Sequence, residues 1–256
     1  MLKSHDRKAF MTRLSVNVNK IATLRNSRGR NQPNLMEVVE KLVDFGVKGI
    51  TVHPRPDGRH ILYTDVRDIK QLLKTTTQVE MNVEGYPSSD FLQLIEEVRP
   101  TQCTLVPDPP TALTSNAGWA VRENFDFLKT ILLSLKKNKI RSSLFIDPFT
   151  LTEKELSSLK LLSTDRVELY TETYANAYDS PKQNTVTQVY VEAAHKISEL
   201  GIELNAGHDL NLKNLTWLLK VIPQIKEVSI GHALICESLY RGLETVTKDY
   251  LAICDS

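Results

Sequence analysis

The sequence predicts an α/β protein, a (β/α)₈ barrel of the TIM type with extra helices. Eight apolar, β-branched runs recur along the 256 residues, segments with helical periodicity lie between them, and no linker or composition shift divides the chain. Barrels of this class commonly use about 250 residues as one domain. Residues 13–256 therefore read as a single barrel domain, and residues 1–12 as an N-terminal extension expected to be disordered. Met11, followed by TRLSVN, is a candidate start; a frayed but genuine terminus is the equal alternative.

The first strand is LSVNV (14–18). LMEVVEKLVDFG (35–46) has a helical apolar stripe and stops at Gly46, a residue suited to the left-handed exit of a helix. GITVH (49–53) and VEMNV (79–83) are the second and third strands, and SDFLQLIEEV (89–98) is the helix behind the third. CTLVP (103–107) follows, with Cys103 as a small strand residue, and then the helical NFDFLKTILLSLKKN (124–138). SSLFID (142–147) and RVELYT (166–171) continue the series. VTQVYVEAAHKISELG (186–201) ends at Gly201, just before IELNAG (202–207), and LKNLTWLLKVI (212–222) precedes the last run, VSIGHAL (228–234). The alternative, an open doubly wound sheet, lacks its Gly-rich fingerprint after the first strand.

Composition narrows the class. A hydrophobic fraction of 41% with 25% charged residues suits a globular core, and 32 basic against 31 acidic residues leave no broad footprint for nucleic acid. Three cysteines without CxxC spacing fit reduced thiols. The first ten residues lack a signal-peptide core and no run of about 18 apolar residues exists, so a cytoplasmic protein without membrane partners is expected.

Catalytic groups of such barrels sit at strand C-terminal ends. Asn17 and Asn19 close the first run, His53 the second, Glu80 and Asn82 lie in the third, Asn205 and His208 end the seventh, and Gly231-His232 the eighth. His53 reads as a proton shuttle or as a structural loop residue before Pro54. Its neighbours Arg55, Arg59 and His60 favour the first reading. Period-two alternation turns Glu80 inward if Val79 and Met81 pack on helices; it is then either a base or an interior carboxylate paired with Arg or Lys. His208 follows the small residues Ala206-Gly207, where a ligand can approach closely, or it is an exposed turn residue. His195, in VEAAHKISEL, reads as surface or packing. Tyr170, Thr171, Glu172 and Tyr174 line either the mouth or a subunit contact.

No HxH, HExxH or His-x₃-His pair is present, and arginines beside two of the histidines disfavour a metal cation, so none is expected. The same arginines favour phosphate. Arg28, Arg55 and Arg59 supply charge, and Gly231-His232 supplies backbone N–H groups before a helix, which points to a small phosphorylated substrate.

The segments SVNVNKIATLRNSRG (15–29), GITVHPRPDGRHI (49–61), NAGHDLNLKNL (205–215) and SIGHALI (229–235) together resemble the pyridoxine 5′-phosphate synthase family of deoxyxylulose-phosphate-dependent vitamin B6 synthesis. The resemblance runs from about residue 13 to residue 251. It implies a (β/α)₈ barrel, a homo-octamer built of dimers, no metal or organic cofactor, and condensation of 3-amino-2-oxopropyl phosphate with 1-deoxy-D-xylulose 5-phosphate. It implies His53 as an acid/base group, Glu80 of VEMN as the second base and His208 as proton donor. By the same resemblance Asn17, Arg28, Gly231 and His232 contact the amino-ketone phosphate or inorganic phosphate, Asp209 offers its backbone N–H, and Arg55, His60 and Thr114 hold the sugar phosphate. Two departures stand out: Asn19-Lys20 replaces an Asp-His pair, remaking the sugar-phosphate contacts with a cation, and Asp209 stands where Gly is frequent. The rival readings are a phosphosugar isomerase or an aldolase using Lys20 as its Schiff-base amine, and a non-catalytic binder of pyridoxine phosphate or an RNA-binding barrel, the last disfavoured by the near-zero net charge.

Overall fold

The computed structural model describes residues 11–76, 78–108 and 117–256. Eight parallel strands close a barrel in chain order: β1 (Arg13–Asn17), β2 (Gly49–Val52), β3 (Glu80–Gly85), β4 (Gln102–Leu105), β5 (Arg141–Ile146), β6 (Arg166–Leu169), β7 (Glu203–Ala206) and β8 (Ile225–Ile230). Outside them, α1 (Asn19–Asn26) and α2 (Leu35–Asp44) follow β1, α3 (Tyr63–Leu73) follows β2, and α4 (Ser89–Val98) follows β3. After β4 comes α5 (Phe125–Lys137), and after β5 a 3₁₀ turn (Pro148–Thr150) and α6 (Glu153–Leu162). Next are α7 (Glu172–Ala177) and α8 (Gln183–Glu199) behind β6, α9 (Leu215–Val221) behind β7, then α10 (His232–Arg241) and α11 (Leu243–Cys254). The barrel with additional helices expected from the sequence is the one observed. Among the described residues, no helix is long and apolar enough to cross a membrane.

Alternation along each strand divides the molecule into two layers. Leu14 and Val16 of β1, Ile50 and Val52 of β2, and Met81 and Val83 of β3 are at most 2% exposed and belong to the core cluster that the helices cover. Each such side chain contributes roughly 1.5–3 kcal/mol. The helices answer with stripes of matching period: α2 buries Leu35, Val39 and Leu42, with Asn34 Oδ1 accepting the Met36 N–H at 3.1 Å as its N-cap and Gly46 leaving it at φ +104°. Cys103, in β4, is fully buried.

The other strand face is polar. Ser15 and Thr51 share a hydrogen bond of 2.7 Å, Thr104 donates to Asn82 Oδ1 at 3.0 Å, and Asn82 Nδ2 reaches Glu84 Oε1 at 3.3 Å. At the N-terminal end of the barrel a ring of charges closes the interior: Arg13 and Arg141 both hold Glu80, Arg13 lies 3.5 Å from Glu227, and Arg166 pairs with Glu203 at 2.9 Å.

The strands begin or end a few residues from the expected runs, and two of these differences bear on the site. β3 continues to Gly85, past Asn82-Val83, and β8 occupies residues 225–230, so that Gly231 caps α10 and His232 opens it. In both cases charged inward residues, Glu84 and Glu227, interrupt the apolar run that marks a strand in the sequence while leaving its alternation intact.

Candidate active site

At the C-terminal mouth of the barrel lies a cavity of about 530 Å³. Asn17 reaches it from the end of β1, Asn19, Lys20 and Thr23 from α1, His53, Arg55, Arg59 and His60 from the loop after β2, His208 and Asp209 from the turn after β7, and Gly231 and His232 from the start of α10. The candidate site residues singled out in the sequence thus converge, except Thr114, Arg28 and Glu80, and except Asn82 and Asn205, which are buried and do not line the cavity. Thr114 lies outside the described residues. Arg28 is exposed beyond the end of α1 and does not line the cavity.

Glu80 is the third exception. It does face inward, but from the first residue of β3, at the opposite end of the barrel, where Arg141 and Arg13 hold it. Burial alone would raise its pKa; the hydrogen bond from Arg141 and the charges of Arg141, Arg13 and Arg166 outweigh that and keep it below the usual carboxylate range. It is an interior carboxylate in contact with Arg13 and Arg141. The carboxylate that reaches the mouth from β3 is Glu84, four residues and two inward steps further along. The same alternation that turned Glu80 inward reaches Glu84 in VEMNVEG, so the signal was present in the sequence.

His53 is anchored through its backbone, whose N–H donates to Asn19 Oδ1 at 2.9 Å; Asn17 Oδ1 in turn accepts the Asn19 N–H at 3.0 Å. Its ring Nδ1 lies 4.0 Å from Glu84 Oε2. Burial, reinforced by Arg55, His60, His208 and Arg59, pushes the His53 pKa down to about 3. Burial also drives Glu84 well above the ordinary carboxylate range, helped by Glu168, Glu227 and Asp108. Burial thus favours a neutral imidazole beside a carboxylic acid over an ion pair. His60, desolvated and near Arg55, Lys20 and Arg59, falls to about 4.

Across the mouth, Glu168 projects from β6 into the cavity, and burial beside Glu227 lifts its pKa to about 7. A Cβ on Gly207 would come within 2.8 Å of Glu168 Oε1, so glycine is what lets the β7 turn close over this carboxylate. Thr171 Oγ1 clamps the same turn, 2.7 Å from the Gly207 carbonyl oxygen and 2.5 Å from that of His208. His208 Nδ1 lies 2.7 Å from Asp209 Oδ2. Burial opposes charge on this imidazole, yet the Asp209 hydrogen bond, with Asp209, Glu168 and Glu172 nearby, raises its pKa above the ordinary value. Tyr170 packs its ring 5.6 Å from Phe145 and 6.2 Å from His208 and hydrogen-bonds Glu172, which places it at the mouth wall.

Sequence reading missed Glu84, Glu168, Thr23 and Ser229, and gave Arg59 a general charge toward phosphate but no place among the sugar-phosphate contacts; all line the cavity. Glu168 stands at an inward position of RVEL between Val167 and Leu169. Ser229 Oγ is buried and has no hydrogen-bond partner among the described residues. His195, by contrast, is exposed on α8 beside Glu199, as expected. Among the described residues, no group of three or more His, Cys, Asp or Glu is placed to hold a metal ion.

Chemically the mouth combines cations, amide N–H groups and proton carriers of opposed tuning. Solved structures share the barrel: a tryptophan synthase chain from M. tuberculosis superposes with a TM-score of 0.66 at 13% identity, covering 98% of this chain and 95% of that one. A phosphoribosyl anthranilate isomerase from Thermotoga maritima gives 0.61 at 12% identity, over 95% and 98%. Sequence relatives are far nearer. Pyridoxine 5′-phosphate synthase of Parabacteroides distasonis is 48% identical over 249 residues, 96% of this chain and all of the relative. Those of Bacteroides fragilis and Porphyromonas gingivalis are 50% and 51% identical, each spanning 94% of this chain and 98% of the relative. The model of the pyridoxal phosphate biosynthesis protein PdxJ matches residues 14–256, and with relatives of this similarity along their whole length the chain belongs to the PdxJ family.

Proposed function

We propose that the protein is a pyridoxine 5′-phosphate synthase that condenses 3-amino-2-oxopropyl phosphate with 1-deoxy-D-xylulose 5-phosphate, giving pyridoxine 5′-phosphate, inorganic phosphate and water. The observation that carries the reading is the pairing, in one mouth, of a cationic wall with proton carriers set to different protonation states. Lys20, Arg55 and Arg59, the Gly231-His232 start of α10, and His53, Glu84, Glu168 and His208 all line it.

The cationic wall suits the phosphate of the sugar, and Arg55 is nearly buried, so its charge acts with little screening. The N-terminus of α10 and the unpartnered Ser229 hydroxyl suit the second phosphate. In this arrangement the substrate amine attacks the sugar ketone and water leaves as the imine forms. Inorganic phosphate is then eliminated, carbon–carbon closure follows, and a further water departs as the ring becomes aromatic. Each stage moves a proton. Neutral His53 is able to accept one, Glu84 with its raised affinity accepts from carbon once ionised, and His208, held protonated, donates to a departing oxygen. Glu84 takes the place that the sequence resemblance gave to Glu80.

Mixing the purified protein with both phosphorylated ketones and following pyridine absorbance tests the reading. Product formation with release of inorganic phosphate supports it; binding of pyridoxine phosphate without turnover replaces it with a binding protein. Borohydride trapping of substrate on Lys20, which does line the cavity, replaces it with aldolase-type chemistry. Assembly into an octamer of dimers and a cytoplasmic location belong to the same proposal, the first checked by light scattering.

A further inference from the structure

Asp209 occupies a backbone conformation that side chains rarely adopt, with φ +64°. Only glycine, and to a lesser degree Asn and Asp, enters this region without a sizeable steric cost. The chain nevertheless carries a carboxylate there, in a cavity whose expected ligands are anionic. Like-charge repulsion makes that placement costly unless the carboxylate has a second task. Its surroundings show one. The left-handed turn brings Asp209 Oδ2 to 2.7 Å from His208 Nδ1. The Asn214 side chain donates to the Asp209 carbonyl oxygen at 3.3 Å and accepts the Asn211 N–H at 2.8 Å. Thr171 holds the Gly207 and His208 carbonyls from the other side. The turn is fixed at both ends, and the ring with it.

We propose that Asp209 is a positioning residue for His208: it binds Nδ1, fixes the ring so that Nε2 is the nitrogen offered to the ligand, and keeps the imidazole protonated for donation. The arrangement repeats the logic of a carboxylate that orients a catalytic histidine, built here from adjacent residues. The catalytic part of this inference rests on the synthase reading; the pairing does not. Other charged or titratable groups facing His208 are Glu168 and Tyr170 from β6 and its end, Glu172 of α7 and His53 beyond β2, while His232 of α10 acts on Asp209. Glu168 and Glu172 favour the imidazolium, so the effect of removing Asp209 is partial.

The test uses Asp209→Asn, which keeps a hydrogen-bonding side chain without the charge, and Asp209→Gly, which also removes the backbone strain. Both fit a positive φ and fold. The His208 ring is followed by nitrogen NMR across pH in the full chain, alongside the pH profile of pyridoxine phosphate formation. The expected result is a titration midpoint displaced to lower pH in both variants, and a basic limb of kcat displaced the same way. At about pH 8 kcat falls roughly tenfold, at about pH 6 less than about twofold, and KM changes little. In a His208→Asn background, Asp209→Asn has no further effect. An unmoved midpoint, or equal loss of kcat at both pH values, overturns the proposal. If the wild type forms no product, the synthase reading fails and the NMR midpoint still decides the pairing.

Discussion

His53 Nδ1 and Glu84 Oε2 stand 4.0 Å apart at the wall between the β2 and β3 ends, and burial holds both in their uncharged forms. A pair of this kind moves a proton without first separating charge in a desolvated site, which is costly.

Glu84→Gln is isosteric and keeps a hydrogen-bonding side chain, but has no proton to exchange. Its kcat is expected to fall by about 10²–10⁴-fold with an unchanged melting profile. Glu80→Gln is the contrasting variant: kcat stays within about threefold, whereas stability drops by about 1–2 kcal/mol because Arg13 and Arg141 lose their shared carboxylate. Steady-state kinetics and thermal melts of the two proteins decide between the ends of β3. Loss of activity in Glu80→Gln with little effect in Glu84→Gln reverses the assignment.

The cationic wall separates binding from chemistry. Lys20→Met is expected to raise KM for the sugar phosphate by about 10–100-fold, the cost of one charge-assisted hydrogen bond, with kcat little changed. A fall in kcat at constant KM instead places Lys20 in the chemistry.

His53 and His60, lowered to about 3 and about 4, stay neutral from about pH 5.5 upward. Ring-proton NMR in the ligand-free protein should show neither titrating between about pH 5.5 and 8. A midpoint near the free imidazole value for His53 means that it is hydrated and removes its role as a neutral acceptor.

Glu168 gives a stability signature with the opposite sign to Glu80. Its folded pKa of about 7 lies above the unfolded carboxylate value, so its favourable contribution is complete at low pH and is lost as pH rises through about 7. Glu168→Gln therefore raises Tm at about pH 8 by several degrees and changes it little at about pH 4, while lowering activity. An equal change in Tm at both pH values contradicts the linkage.

The barrel was legible because its outer face is written in runs such as LSVN and GITV, and because Gly46 and Gly201 mark helix exits. Site residues on the β2 and β7 loops were legible for a similar reason: histidines and arginines directly behind an apolar run have few other uses. Depth inside the barrel was not. Alternation states which face a residue takes, and Glu80, Asn82 and Glu84 share that face; which of the three reaches the mouth depends on where the strand ends, and Glu84 itself broke the apolar run that would have marked the end. Glu168 went unseen because an inward carboxylate flanked by Val167 and Leu169 looks, in one dimension, like any polar strand position. Position in the third dimension also explains Arg28, which the sequence shows only as one more cation after the first strand.

Glu168 and His208, facing each other beneath the Gly207 turn, have a calorimetric consequence. One is poised to gain a proton and the other to retain it, so seating a phosphate dianion beside them draws hydrogen ions from the solution. Heats of ligand binding should therefore scale with the ionisation enthalpy of the buffer, and the slope counts the protons taken up as the ligand is seated.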